Sequence, residues 1–176
     1  MPQLVDPSGR LRGSFLAAVA ELRAEDGDAR LLVDDANPDT LNNAASFEEF
    51  VRQTLASREP GAARPDGYAP VTTLWWAQDT MFLGRLDVRH HLTPALLLVG
   101  GHIGYVVRPS ARGRGHATAM LAAALPYARA LGIDRALLTC DVDNVASQRV
   151  IEANGGEFWD VAGPKRRYWV PTGSSS

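Results

Sequence analysis

The segment Val107-Arg108-Pro109-Ser110-Ala111-Arg112-Gly113-Arg114-Gly115-His116-Ala117 constrains the chain more than any other. An apolar run ends at Val107, Pro109 stops it, and two glycines permit a tight basic turn. An alanine- and leucine-rich stretch, Thr118–Leu131, follows at once and is closed by Gly132. The order is strand, turn, helix. The first N–H groups of a helix have no intrahelical partner, and the helix dipole adds positive potential there. With Arg112 and Arg114 alongside, such a turn suits a pyrophosphate, and small Gly115 and Ala117 let phosphate oxygens reach the main chain. Neither a GxxxxGKS/T loop nor a GxGxxG fingerprint is present. Taken alone, the turn also reads as a strand-to-helix connection carrying two solvated arginines.

The rest of the chain supplies an α/β frame around that turn. Leu11, Phe15, Val19 and Leu22 recur at helical spacing up to the Glu25–Asp28 cluster, and Phe47, Phe50, Val51 and Leu55 mark a second helix. Ser46 followed by Glu49 has the form of a capping box for it. Arg58 to Pro70 reads as a loop, and Val71–Ala77 and Thr80–Val88 as a hairpin turning at Gln78-Asp79. Strands follow at His102–Val107 and Ala136–Val142, and a short helix at Ser147–Asn154. Two more strands are predicted near Glu157–Val161 and Arg167–Val170. Pro126 should bend its helix or leave one carbonyl unpaired. This order predicts one α/β domain with a mixed sheet over residues 1–172 and a disordered tail at 173–176. The 176 residues, 45% of them apolar, suffice for one core.

Arg112 to Ala117 fits Gln/Arg-x-x-Gly-x-Gly/Ala, and here the chain resembles the GNAT superfamily of N-acetyltransferases. Val107-Arg108-Pro109 is similar to the usual strand ending of that family, and Asn144, Ser147 and Gly155 stand at its downstream spacing. Gly100-Gly101-His102-Ile103-Gly104-Tyr105, Thr139-Cys140-Asp141 and Asn154-Gly155-Gly156 resemble a bacterial subgroup of acetyltransferases. The resemblance implies acetyl-CoA as co-substrate, held in a V-shaped gap between two splayed parallel strands, His102–Val107 and Ala136–Val142. It implies backbone contacts from Val106 and Val107 to the pantetheine arm. It assigns Arg112, Gly113, Arg114, Gly115, His116, Ala117 and Thr118 to the pyrophosphate. Asn144, with Ser147 beside it, would meet the arm from the other side; by itself Asn144 is also an ordinary turn residue.

The implied reaction is direct transfer of an acetyl group to an amine with both substrates bound, so positioning carries much of the rate. A backbone N–H at Val106 or Val107 would polarise the thioester carbonyl. Many relatives place a tyrosine seven residues after the asparagine to protonate the departing thiol; this chain has Ile151 there, and Tyr105 is the candidate substitute. A lysine-like amine is unprotonated in only roughly one molecule in two thousand at pH 7, so a proton acceptor is expected. His102 is the candidate base, although its parity along the strand requires a bulge to aim it at the cleft; a buried histidine on a backbone carbonyl is the other reading. Ile151 keeps a second function open, a non-catalytic acyl-CoA sensor.

The acceptor is an amine, small-molecule or peptide, which Asp34, Asp35, Asp39, Glu48 and Glu49 would attract unless they form only a solvated face. Arg89, His90 and His91 sit where the hairpin returns toward the cleft, and one of Trp75 and Trp76 is expected to line it. Cys140 reads as a small buried hydrophobe rather than a nucleophile. A net charge of −2 argues against nucleic acid, no apolar run is long enough for a membrane, and no third ligand joins the histidines to make a metal site. A single cysteine and an opening without signal-peptide order point to the cytoplasm. Oligomeric state stays open, with a homodimer one candidate.

Overall fold

In the computed structural model, which describes residues 1–25 and 27–173, the first element is one the hydrophobic pattern does not announce. Gln3–Val5 (β1) lies antiparallel on the hairpin Val71–Gln78 (β2) and Met81–Arg89 (β3), and Ile103–Val107 (β4) completes a sheet of order β1-β2-β3-β4. Arg135–Asp141 (β5), Glu157–Ala162 (β6) and Lys165–Pro171 (β7) form a second sheet of order β5-β7-β6. Every ladder is antiparallel, so two sheets stand where one mixed sheet was expected. The expected tail at 173–176 lies, from 174 onward, outside the described residues.

Among the described residues six α-helices accompany the sheets: Arg12–Ala24 (α1), Arg30–Val33 (α2), Ala44–Ala56 (α3), Pro94–Leu98 (α4), His116–Ala130 (α5) and Val145–Ala153 (α6). The start of α3 corrects the capping-box expectation. Asn43, in extended conformation, is the cap, its Oδ1 accepting from the N–H groups of Ala45 (2.9 Å) and Ser46 (3.2 Å). Glu49 turns instead to Arg52 and Gln53. Helix α5 runs through Pro126; the carbonyl it deprives belongs to Ala122, an exposed residue on the solvent face.

Alternation along β2 sends its two tryptophans to opposite faces, and each enters a separate core. Trp75 stacks on Phe15 (4.8 Å between centroids) and meets Phe82 edge-on, in a core closed by α1 and α3. Trp76 joins Met120, Leu138 and Tyr168 in the core beneath α5. At 0% and 5% exposure neither lines a cleft, which corrects that expectation. The two apolar clusters thus lie on opposite faces of the first sheet, one closed by α1 and α3 and the other by α5 and the second sheet, with the hairpin contributing to both.

Candidate active site

The two sheets touch along a seam between β4 and β5. His102 donates its backbone N–H to the Leu137 carbonyl (2.7 Å), and its ring Nδ1 accepts the Leu137 N–H (2.9 Å). Gly101, at φ +62°, has no room for a side chain: a Cβ there would lie 2.3 Å from the Leu137 carbonyl oxygen. An imidazole therefore ends the contact where a ladder would otherwise continue.

Beyond that point the strands do not pair, and a cavity of about 460 Å³ lies between them. Register shows which backbone groups face it. Arg89 and His102, and Leu83 and Arg108, are hydrogen-bonded across β3 and β4, so by alternation Val106 turns its polar groups toward β3. Tyr105 and Val107 turn theirs toward the gap. The same count on β5, from the bonds Thr172–Asp134 and Val142–Pro164, points Thr139 and Asp141 into it. Val106 lines the gap, but its backbone groups are used by the sheet, and Tyr105 offers free ones beside it. The Val107 carbonyl already accepts from Arg112 Nε at 3.3 Å.

The turn after β4 is held from below. Arg108, almost fully buried, donates to Glu21 and to the Phe82 carbonyl (3.0 Å), and Glu21 also accepts from the N–H (3.0 Å) and hydroxyl (3.0 Å) of Ser110. The Arg108 bond holds Glu21 down at about 2, with the bonds from Ser110 assisting against its burial. Gly113 (φ +74°) and Gly115 (φ +77°, the N-cap of α5) adopt left-handed conformations that present the turn outward. Among the described residues no acceptor meets the N–H groups of Gly113, Arg114, Gly115, His116, Ala117 or Thr118. Arg112 pairs with Glu25 (2.7 Å), while Arg114 is exposed with no carboxylate partner among the described residues. His116 takes a bond from Trp76 Nε1 (3.2 Å) and ties the turn to β2. The residues of the turn thus fit a pyrophosphate.

Asn144 is both a helix cap and a residue of the gap. Its Oδ1 caps α6 by accepting the Ser147 N–H (3.0 Å), and the residue lines the gap beside Ser147. Tyr105 reaches across from β4, its hydroxyl 3.2 Å from Ser147 Oγ. Burial pushes this phenol up to about 12, so it stays protonated. Ile151 is buried in the core and takes no part. Asn154 does work the sequence did not signal: its Nδ2 donates to the Thr118 carbonyl (3.2 Å) and binds α6 to the first turn of α5. Cys140 lines the gap as a thiol whose pKa burial pushes up, which agrees with its inert reading.

His102 lines neither this gap nor the chamber beside it. Its Nδ1 lone pair is taken by Leu137, and burial pushes its pKa down, with the charges of Arg89 and His91 adding to that. A ring so used holds the seam rather than a substrate proton. His90 is likewise engaged, its Nε2 2.9 Å from Thr72 Oγ1.

A larger chamber of about 820 Å³ opens off the gap, and Arg30, Leu31, Asp34, Arg85, Asp87 and Arg89 line both. Arg85 is 5% exposed and is fully engaged, to Asp34 (2.9 Å), Asp87 (3.0 Å) and the Leu32 carbonyl (2.8 Å). Burial works against its charge, yet the two carboxylates hold its pKa above the ordinary guanidinium range. Asp34 closes α2 at φ +53°, a strained conformation for a residue with a side chain. Protein atoms crowd its carboxylate, although 56% of the side chain stays open to the chamber, and this desolvation raises its pKa despite Arg85. Of the other acidic candidates, Asp35 lines the chamber, Asp39 pairs with Arg23, and Glu49 with Arg52.

A sequence model described as an acetyltransferase (GNAT) domain matches residues 17–157, and the chain belongs to that family. No curated protein sequence matches it. Among solved structures, RimJ of Mycobacterium smegmatis in complex with CoA-disulfide superposes with a TM-score of 0.64 at 19% identity, over 95% of this chain and 79% of that one. The ribosomal-protein-S5-alanine acetyltransferase of Vibrio fischeri gives 0.64 at 10% identity, over 96% and 92%. The microcin C7 self-immunity acetyltransferase MccE, in complex with acetyl-CoA and AMP, gives 0.62 at 15%, over 96% and 91%. At such identities these likenesses establish the fold. Among the described residues no helix is long and apolar enough to cross a membrane, and no group of three metal-ligating side chains converges.

Proposed function

We propose that this protein is an N-acetyltransferase that takes acetyl-CoA in the gap between β4 and β5 and an amine in the adjoining chamber. The observation that carries this reading is the pair of strand edges, Tyr105 and Val107 opposite Thr139 and Asp141, that face each other without a ladder. An extended arm with amide donors and acceptors satisfies both edges as an inserted strand would. The six uncommitted N–H groups from Gly113 to Thr118, with Arg114, receive the pyrophosphate at its end. Asn144 keeps its side-chain amide free to donate toward the arm, since only its oxygen caps α6.

The co-substrate supplies an activated acyl group with a thiol as leaving group. The chain positions it and manages two protons. Asp34, with one oxygen on Arg85 and the other open where gap and chamber meet, takes the proton from the amine. Tyr105 offers its phenolic proton to the departing sulfur, the role Ile151 cannot fill, and this favours an enzyme over an acyl-CoA sensor. The Val107 N–H polarises the carbonyl. The likeness to a ribosomal-protein-S5-alanine acetyltransferase makes a peptide amine one acceptor class; the chamber equally admits a small molecule.

Calorimetric titration with acetyl-CoA, followed by thiol release with an amine panel, tests the reading. Micromolar binding is expected, weakened roughly tenfold or more in Arg114→Glu through loss of a charge-assisted contact. Absence of binding by the folded protein overturns it.

A further inference from the structure

Arg89 is the one arginine at the junction of gap and chamber that no carboxylate neutralises among the described residues. Arg85 is held by Asp34 and Asp87, and Arg30 by Asp28. Arg89 instead spends one nitrogen, Nη1, on the carbonyls of Gly100 (3.1 Å) and Gly101 (3.3 Å). Asp87 is near enough to be felt but is already bonded by Arg85 and by Thr73 Oγ1 (2.7 Å).

Those two carbonyls fix the guanidinium against bare backbone. A Cβ on Gly104 would lie 3.4 Å from Nη1 and 3.5 Å from Nη2, so β4 is smooth where the cation rests. Burial pushes the pKa of Arg89 down, as expected of a cation that lacks a counter-charge. Nε and Nη2 have no partner among the described residues, and a planar fork of this kind matches a carboxylate.

We infer that Arg89 receives a substrate carboxylate where the two chambers meet. The inference rests on the acyltransferase reading and narrows its substrates. The carboxylate has two sources: an amine acceptor that carries one, so that Asp34 and Arg89 read opposite charges on the same molecule, or a dicarboxylic acyl group on the donor.

Matched probes separate them. Lysine against cadaverine, tyrosine against tyramine, and a dipeptide against its C-terminal amide are compared with acetyl-CoA as donor. Succinyl-CoA is compared with butyryl-CoA on the plain amines. One of the two comparisons should favour the carboxylate roughly 10- to 100-fold in kcat/KM, because the partner lacking it forgoes a charge-assisted pair with a half-buried cation. Arg89→Met should bring that preference near parity with CoA affinity unchanged, and Arg89→Lys should keep part of it. Equal rates within every wild-type pair, or a preference that survives in Arg89→Met, would overturn the inference. So would failure of every carboxylate probe to react in protein that binds CoA. Loss of CoA binding itself is a different failure, which removes the acyltransferase reading and this inference with it.

Discussion

Tyr105 and Asp34 divide the proton traffic, and their environments set opposite expectations for pH. Tyr105→Phe keeps the ring and removes the proton, so kcat should fall roughly 10- to 100-fold while acetyl-CoA affinity holds. Because its pKa is about 12, the wild type should show no descending limb from this group below pH 10. Asp34 acts as a base only when ionised, and desolvation raises its pKa, so kcat/KM should climb with pH through a range above that of an ordinary carboxylate. Asp34→Asn should abolish that limb; an unchanged pH–rate profile would remove Asp34 as base. Tyr105 was legible from sequence because it lies in a recognisable glycine-rich strand. Asp34 was visible only as one acid among five, since its left-handed backbone and its bond to Arg85, 51 residues away, leave no local pattern. His102 was legible as important and misread in kind, because sequence shows a ring but not which lone pair is taken.

At the scale of elements, the anion turn is as well held as it is exposed. Its two glycines open it to ligand, and the Glu21–Arg108–Ser110 cluster clamps it to α1 from behind. The folded pKa of Glu21, about 2, lies below its ordinary value of 4.5. Its contribution is therefore complete above pH 4.5 and is lost as pH falls through the interval down to 2. Glu21→Gln should cost about 2 kcal/mol at neutral pH, solvent screening included, and the gap in Tm from wild type should close over that interval. Substitution at Gly115 is a poor probe of cofactor binding: at φ +77° any side chain strains the turn, by about 1–2 kcal/mol, before it meets a phosphate. Arg114→Glu avoids that ambiguity. The turn was readable because its residues are consecutive. The clamp was not, because its acid and base stand 87 residues apart on a helix and a strand end.

Over the described residues the molecule is two sheets that meet beside a histidine, with a core on each face of the first. Because burial depresses its pKa, His102 contributes stability that is complete above about pH 6.5 and is lost as pH falls and the ring must charge. His102→Ala should lower Tm at pH 8 by removing the acceptor for Leu137. His102→Asn should retain an acceptor near the Nδ1 position, keep more of that Tm, and flatten its decline toward pH 5. A His102→Asn protein as acid-sensitive as wild type would contradict this account. The fold class was legible from the order of elements, but the division into two sheets was not, since it depends on a side chain ending a ladder. Strand β1 escaped notice for a simpler reason: three residues on a sheet edge carry too little alternation to register. The separate cores also bear on descent. Substitutions under α1 and α3 and substitutions under α5 meet different neighbours, so preference for what is acylated and affinity for the acyl carrier can drift apart in a lineage of such chains except at the hairpin, which feeds both cores, and at the Glu21–Arg108 clamp, where the two traits stay coupled.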